Sequence, residues 1–220
     1  MTATALPRPA APRFAEIGRM PRGIAALLGA WFLLIVSLGA AGMFVTPRGT
    51  PPVAIALGIA LPLALFFAAM RLSKTFREFV LALDLRLIAG IQAWRWAGLG
   101  FLFLYAYHIL PAVFALPAGL GDMAIGFTAP WMILALSRRP AFAASAAFVR
   151  WNLLGILDLV VAVSIGTVSS MLSTGAPGEI STAPMATLPL LLIPAFLVPL
   201  FLMLHTAALL QSRRMAGGDA

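Results

Sequence analysis

The chain has 220 residues, of which 62% are hydrophobic and only 10% are charged, whereas about 25% of the residues in an ordinary soluble domain are charged. This balance and a mean hydropathy of +1.01 exclude a water-soluble globule, because one core cannot hide so much apolar side chain. The absence of cysteine excludes disulfides, thiolate metal sites and a cysteine nucleophile. The net charge is +8, and its meaning depends on where the basic residues lie.

The chain begins with a segment, residues 1–22, that is rich in Pro, Ala and Arg and has no apolar core. This composition predicts a disordered basic tail. The apolar run that follows is longer than the core of a signal peptide, which has about 7 to 15 residues. We therefore expect a membrane span there and no cleavage, although small residues near 37–42 resemble a cleavage region.

Six runs in the chain are long and apolar enough to be membrane spans. A helix needs about 20 apolar residues to cross a hydrocarbon core about 30 Å thick. The runs predict an all-α, polytopic integral membrane protein with a six-helix transmembrane domain at 23–211, and its spans are at about 23–45, 50–70, 96–116, 119–136, 148–171 and 186–210. Residues 212–220 are expected to form a short tail.

The basic residues are unevenly shared between the two ends of these spans. With an inner N-terminus, every Lys and Arg except Arg48 lies inside, as the positive-inside rule describes. Both termini are therefore predicted to be cytoplasmic, and the basic charge indicates topology and not a nucleic-acid surface. The strong preference for Arg over Lys favours a bacterial source with GC-rich DNA, and so the inner membrane.

The segment before the third span has an apolar stripe at helical spacing over residues 79–94. Asp84 and Arg86 lie within it, and each would cost about 2.5 to 3.5 kcal/mol at the centre of a spanning helix. A span here would also place the later arginines outside. We therefore expect an amphipathic helix at the membrane interface.

Asp122 and Asp158 are the main candidates for function, because lipid offers an ionisable side chain no water. Small residues lie at helical spacing around both, namely Gly119, Gly126, Gly155 and Ala162. Small residues on one face let another helix approach closely, so we expect both aspartates to point into the bundle. Asp122 also follows the start of its predicted helix, where a carboxylate caps free N–H groups, and this is the structural alternative.

The other polar residues extend a candidate path on either side of Asp158. His108 lies at a depth similar to that of Asp122 in the predicted hairpin, so that the two side chains could pair; the alternative is a polar patch of His108 with neighbouring tyrosines. Asn152 and Arg150 continue the path at the inner end. Gln92 and Arg95 would form an inner vestibule for an anionic group, whereas the tryptophans beside Arg95 and Arg150 favour simple anchoring at the lipid headgroups.

Cofactor and enzyme chemistry receive no support from the sequence. A haem between His108 and His205 is disfavoured, because their predicted depths differ by about 8 Å and both ligands of one haem lie at one depth. The chain has no Gly-x-Ser-x-Gly or His-Glu-x-x-His motif and no acidic pair for Mg²⁺. We expect no cofactor and no metal, and the balance is against an enzyme.

Three hypotheses about function remain open. The first is a small-solute or proton-linked permease or channel-like protein with a polar path through Asp158. The second is a non-catalytic membrane subunit that binds another protein, or a second copy of itself, through small-residue faces. The third is a redox protein that binds a cofactor. The lipid bilayer is the partner expected in all three, and nucleic acid in none.

Overall fold

The computed structural model describes residues 22–217, of which 81% are helical, with no strand among them. The helices are α1 Arg22–Ala40, α2 Val53–Leu72, α3 Lys74–Leu81, α4 Leu85–Gln92, α5 Leu99–Ala106, α6 Ala112–Arg138, α7 Ala146–Leu172 and α8 Val198–Gly217. A 3₁₀ segment, Ala93–Gly98, joins α4 to α5, and a π-helical segment, Ile193–Leu197, leads into α8. The predicted N-terminal tail lies outside the described residues, except for Arg22.

Six helical segments are long and apolar enough to span a membrane, which confirms the predicted all-helical class. They are Arg22–Ala40, Val53–Leu72, Leu85–Ala106, Ala112–Arg138, Ala146–Leu172 and Ile193–Gly217. The first, second and fifth begin and end within about five residues of the predicted bounds. The sixth continues to Gly217, so that residues 212–217 belong to α8 and not to a tail.

The third segment differs from the prediction. It runs over Leu85–Ala106 instead of 96–116, and the chain turns before Ala112, so that α6 starts earlier than the predicted 119. The expected interfacial helix at 79–94 is divided, because α3 ends at Leu81 and α4 begins at Leu85. Only α3 is then left as a short amphipathic helix outside the six segments.

The break between α3 and α4 is made by local polar contacts. Asp84 caps α4 by accepting a hydrogen bond from the Arg86 amide at 2.8 Å. The same carboxylate pairs with the Arg86 guanidinium at 2.8 Å, and this hydrogen-bonded pairing lowers the pKa of Asp84 despite its partial burial. The pair explains why charges that looked too costly for a span lie at the start of one.

The helix α6 is the centre of the bundle and packs against the 3₁₀ segment, α4, α5 and α7. Glycines make these crossings possible. A Cβ atom on Gly126 would overlap the backbone nitrogen of Trp96, and a Cβ atom on Gly119 would lie 2.9 Å from the carbonyl oxygen of Gly98. The helix backbones therefore touch where their side chains are absent, as is common in membrane bundles.

The end of the bundle that holds α3 is closed by side chains from the end of α8. The Gln211 amide donates to the carbonyl oxygens of Val80 and Leu83, both at 3.1 Å. Ser212 donates to the carbonyl oxygen of Ala143 at 2.6 Å. By contrast α1 is peripheral, since Ile35 is its only buried residue.

Candidate functional site

The site is centred on Arg95, which the 3₁₀ segment places between α6 and α7. Its side chain has no exposed surface. Arg95 Nε donates to Asp122 Oδ1 at 2.7 Å, and Arg95 Nη2 donates to Asp158 Oδ2. The two aspartates that the sequence singled out are therefore brought together by one guanidinium. Asp122 lies in the interior of α6, where it pairs with Arg95 and does not cap the helix.

A second layer of hydrogen bonds extends from Arg95 along α7 and α8. Arg95 Nη1 lies 3.2 Å from His205 Nε2, and His205 Nδ1 lies 2.9 Å from Asn152 Oδ1. A guanidinium has only donors, so Nε2 must accept and His205 is neutral with its proton on Nδ1. The Asn152 amide then donates to the carbonyl oxygen of Phe148 at 2.9 Å, so that His205 and Asn152 are hydrogen-bonded on both sides.

Glycine and aromatic residues close the space around these polar groups. A Cβ atom on Gly155 would overlap the His205 ring, and Arg95 also donates to the Gly155 carbonyl oxygen at 3.3 Å. The Trp151 ring packs edge-on against His205 at 5.6 Å, and the Phe201 ring lies 5.9 Å from the guanidinium carbon. The Arg95 side chain, Asn152 and His205 are fully buried by these contacts, whereas the Asp122 and Asp158 side chains keep 17% and 14% of their surface exposed. We call Arg95, Asp122, Asp158, His205 and Asn152 the Arg95 network.

A cavity of about 110 Å³ begins where this network ends. A cavity needs about 10 to 15 Å³ to hold one water molecule, so this one is large enough for several. Asp122 lies in its lining, as do apolar side chains from α2, α5, α6, α7 and α8. Its polar lining residues other than Asp122 are Thr46, Arg48, Thr167, Ser170, Ser173, Ser181 and Thr182, which lie in the second half of α7 and in two connecting segments.

Three other residues predicted from the sequence, His108, Arg150 and Ala162, lie outside the Arg95 network. His108 lies exposed in the turn between α5 and α6, at a positive φ of 57°, whereas Asp122 pairs with Arg95. Arg150 is exposed and donates to the Ala146 carbonyl oxygen of its own helix. Ala162 lines the cavity. The structure thus brings neither His108 nor Arg150 to the two aspartates.

Gln92 and Arg95 do not form the expected vestibule. Gln92 is fully buried, and neither atom of its side-chain amide has a hydrogen-bond partner among the described residues. Arg95 belongs to the network of two aspartates instead. The two histidines of the haem hypothesis are also kept apart, since His205 is enclosed by Arg95 and Asn152 while His108 is exposed.

Comparison with known proteins places the chain in a family. Residues 52–212 match a family model described as a domain of unknown function, DUF8737. The chain belongs to this family. The matched part includes every residue of the Arg95 network and leaves out α1. No curated protein and no solved structure matches the chain.

Proposed function

We propose that the protein is a permease for a small solute, with Asp122 and Asp158 as the place where the solute or a coupled proton is taken up. One observation carries this proposal, namely that a cavity of about 110 Å³ reaches into the bundle and ends at an ion-paired carboxylate. Buried charges in membrane segments are costly, and they are typical of solute and proton pathways.

The path proposed for the solute follows one face of α7. From Phe148 to Asp158 this face carries the Arg95 network, over about 15 Å at 1.5 Å per residue. From Leu159 to Ser173 the same face lines the cavity, over about 21 Å. Together the two stretches exceed the hydrocarbon thickness of about 30 Å, so that they form a route of sufficient length.

The route is open in one half and closed in the other. Asp122 lines the cavity, whereas Arg95, Asn152 and His205 do not. Passage toward Phe148 therefore requires Arg95 to release a carboxylate. The helices are irregular at this point, since Arg95 lies on a 3₁₀ segment and the π-helical segment lines the cavity opposite. Such interruptions are frequent at hinges and in transporter binding sites.

The charge distribution supplies the orientation in this proposal. Arg48 and the segment 173–182 lie at the open end of the cavity, and this end has few basic residues. By the positive-inside rule it faces the outside of a bacterial inner membrane, with both termini in the cytoplasm. In this orientation the cavity is accessible from outside and the Arg95 network closes the inner half.

Flux through reconstituted vesicles tests the proposal. The full chain is placed in proteoliposomes at pH 6, and uptake of a panel of small organic cations, carboxylates, amino acids and sugars is followed by mass spectrometry, with internal pH followed by a dye. We expect uptake of a solute or of protons above that of protein-free vesicles. Asp158→Asn should reduce this flux at least tenfold, because an amide cannot exchange a proton or pair with a cation.

Glu78→Gln is the matched control for this experiment, since Glu78 lies on the exposed face of α3 and, among the described residues, pairs with Lys74. Its flux should equal that of the unchanged chain. Flux no higher than in empty vesicles for the whole panel, or unchanged flux in a folded Asp158→Asn protein, would contradict a permease.

The second candidate function is a non-catalytic membrane subunit. The pairing of Arg95 with two aspartates favours it, because a network whose charges are paired stabilises a bundle even when no solute passes through it. This alternative predicts that Asp158→Asn lowers stability but that the intact chain moves none of the solutes. It also predicts co-purification with a stoichiometric membrane partner from the native host.

A further inference from the structure

The charges at the floor of the cavity do not cancel. Arg95 contributes one positive charge, and Asp122 and Asp158 contribute two negative charges when both are ionised. His205 adds none, because its Nε2 atom accepts from Arg95. The α2 and π-helical residues that face the same cavity are apolar, among them Ile59 and Ile193. With both carboxylates ionised, the floor therefore lacks one positive charge.

The oxygen atoms of the two carboxylates show where that charge is missing. Arg95 occupies Asp122 Oδ1 and Asp158 Oδ2. The hydrogen bonds formed within residues 22–217 leave Asp122 Oδ2 without a donor, and Asp122 lines the cavity. A donor that enters the cavity thus meets a carboxylate with one free oxygen.

We infer that the cavity binds a small monovalent organic cation, a protonated amine with an apolar body, whose ammonium group lies against Asp122. The ammonium group supplies both the missing charge and the missing donor. Apolar side chains from five elements form the walls above Asp122. Among them Phe101 and Phe114 pack edge-on at 5.5 Å, and such rings attract cations as well as hydrocarbon.

The size of the cavity limits the length of the ligand. A volume of about 110 Å³ corresponds to about seven to eleven water positions. An amine with about four to eight non-hydrogen atoms fits this space. Butylammonium is the simplest probe of this class.

A buried hydroxyl lies at the other end of the cavity. Ser173 lines the cavity and is only 7% exposed, and its hydroxyl lies beside the Glu179 carboxylate without a well-aligned hydrogen bond to any described residue. A polar tail of the ligand or its accompanying water would complete the hydrogen bonding of this hydroxyl. Arg48 lines the same end and repels a second positive charge, so the site selects monoamines over diamines.

Binding to the purified full chain tests the inference. Isothermal titration in detergent at pH 7 is carried out with butylammonium, butanol, butyrate and 1,4-diaminobutane, which share a four-carbon body. Butylammonium should bind, and the other three should bind at least tenfold more weakly. Asp122→Asn should weaken butylammonium binding at least tenfold, whereas Glu78→Gln should leave it unchanged.

A second variant protects the test against misfolding of Asp122→Asn. Ala162→Leu leaves all charges in place and fills part of the cavity, so it should also weaken butylammonium binding. Equal binding of butanol or butyrate, or unchanged amine binding in both cavity variants, would overturn the inference.

The inference deepens the proposed permease, but the two fail in different experiments. Flux of other solutes or of protons that depends on Asp158, together with no amine binding, would overturn the amine site and leave the permease. Amine binding that depends on Asp122, with no flux of any solute, would support the amine site and contradict the permease.

Discussion

The two halves of α7 present the same face to the bundle but meet different surroundings. All of its buried residues lie between Phe148 and Leu159. There the Arg95 network and aromatic rings fill the space. Beyond Leu159 the same face is only half-buried and lines the cavity, through Ala162, Gly166 and Thr167. A polar side chain is thus tolerated in this bundle in two ways, either by a protein partner or by space for water or ligand.

Removing Arg95, which fills the closed half of α7, should have the largest effect on stability. Arg95→Met leaves two carboxylates without their cation and should lower the free energy of unfolding by about 3 to 5 kcal/mol. The measurement is the midpoint of denaturation in detergent. Arg150→Met, at the exposed start of α7, is the control and should change stability little. Asp158→Asn in the Arg95→Met background should restore part of the loss; equal midpoints for the two arginine variants would contradict the network.

Overpacking the contact between α7 and α8 should have the next largest effect on stability. Gly155→Ala places a methyl group on the His205 ring, and overpacking of this kind costs about 1 to 3 kcal/mol. Gly100→Ala is the matched control, because a Cβ atom there meets nothing within 4 Å. The control should be neutral or slightly stabilising. The account fails here if Gly155→Ala melts at the same temperature as Gly100→Ala.

Loss of one hydrogen bond within the closed half should cost less. Asn152→Leu removes the acceptor of His205 Nδ1 and leaves a buried donor unsatisfied, at about 1 to 3 kcal/mol. Ser164→Ala on the outer face of α7 removes only a bond to the Val160 carbonyl oxygen of the same helix. Thermal unfolding should separate the two variants, and a smaller loss for Asn152→Leu than for Ser164→Ala would disagree with the assigned tautomer.

The smallest effect is expected in the open half. Ser173→Ala removes a hydroxyl that has no well-aligned hydrogen-bond partner among residues 22–217, so that stability should change by less than about 0.5 kcal/mol. The same thermal unfolding assay applies, without ligand. A loss above about 1 kcal/mol would mean that Ser173 Oγ has a protein partner.

The apolar runs predicted the helical class and most of the segments, because length and hydropathy decide whether a helix can span. The third segment could not be placed in this way. Trp94 and Trp96 suggested that Arg95 lies at a membrane interface, but the two tryptophans are 73% and 52% exposed while the Arg95 side chain is fully buried. Neighbouring side chains on a helix point in directions at least about 100° apart, so that exposed tryptophans on either side leave room for Arg95 to face the bundle, and the sequence does not show which of the three side chains does so.

The site was predictable only in part for the same reason. Small residues around Asp122 and Asp158 indicated which helix faces lie inward, since that signal is local to each helix. Their shared partner depends on the depth of a third helix, which was misplaced by about one half of its length. His205 had only the signal of an isolated histidine in an apolar run, and its partner Asn152 lies 53 residues away in the chain.

Labelling of single cysteines tests the contrast within α7 most directly, because the natural chain has no cysteine to interfere. Thr167→Cys and Ser170→Cys place a thiol in the cavity, and Asn152→Cys places one in the closed network. With a charged, membrane-impermeant maleimide applied to vesicles from each side, the first two should react from one side at least tenfold faster than the third. Equal rates for Thr167→Cys and Asn152→Cys would contradict a cavity that ends at the Arg95 network.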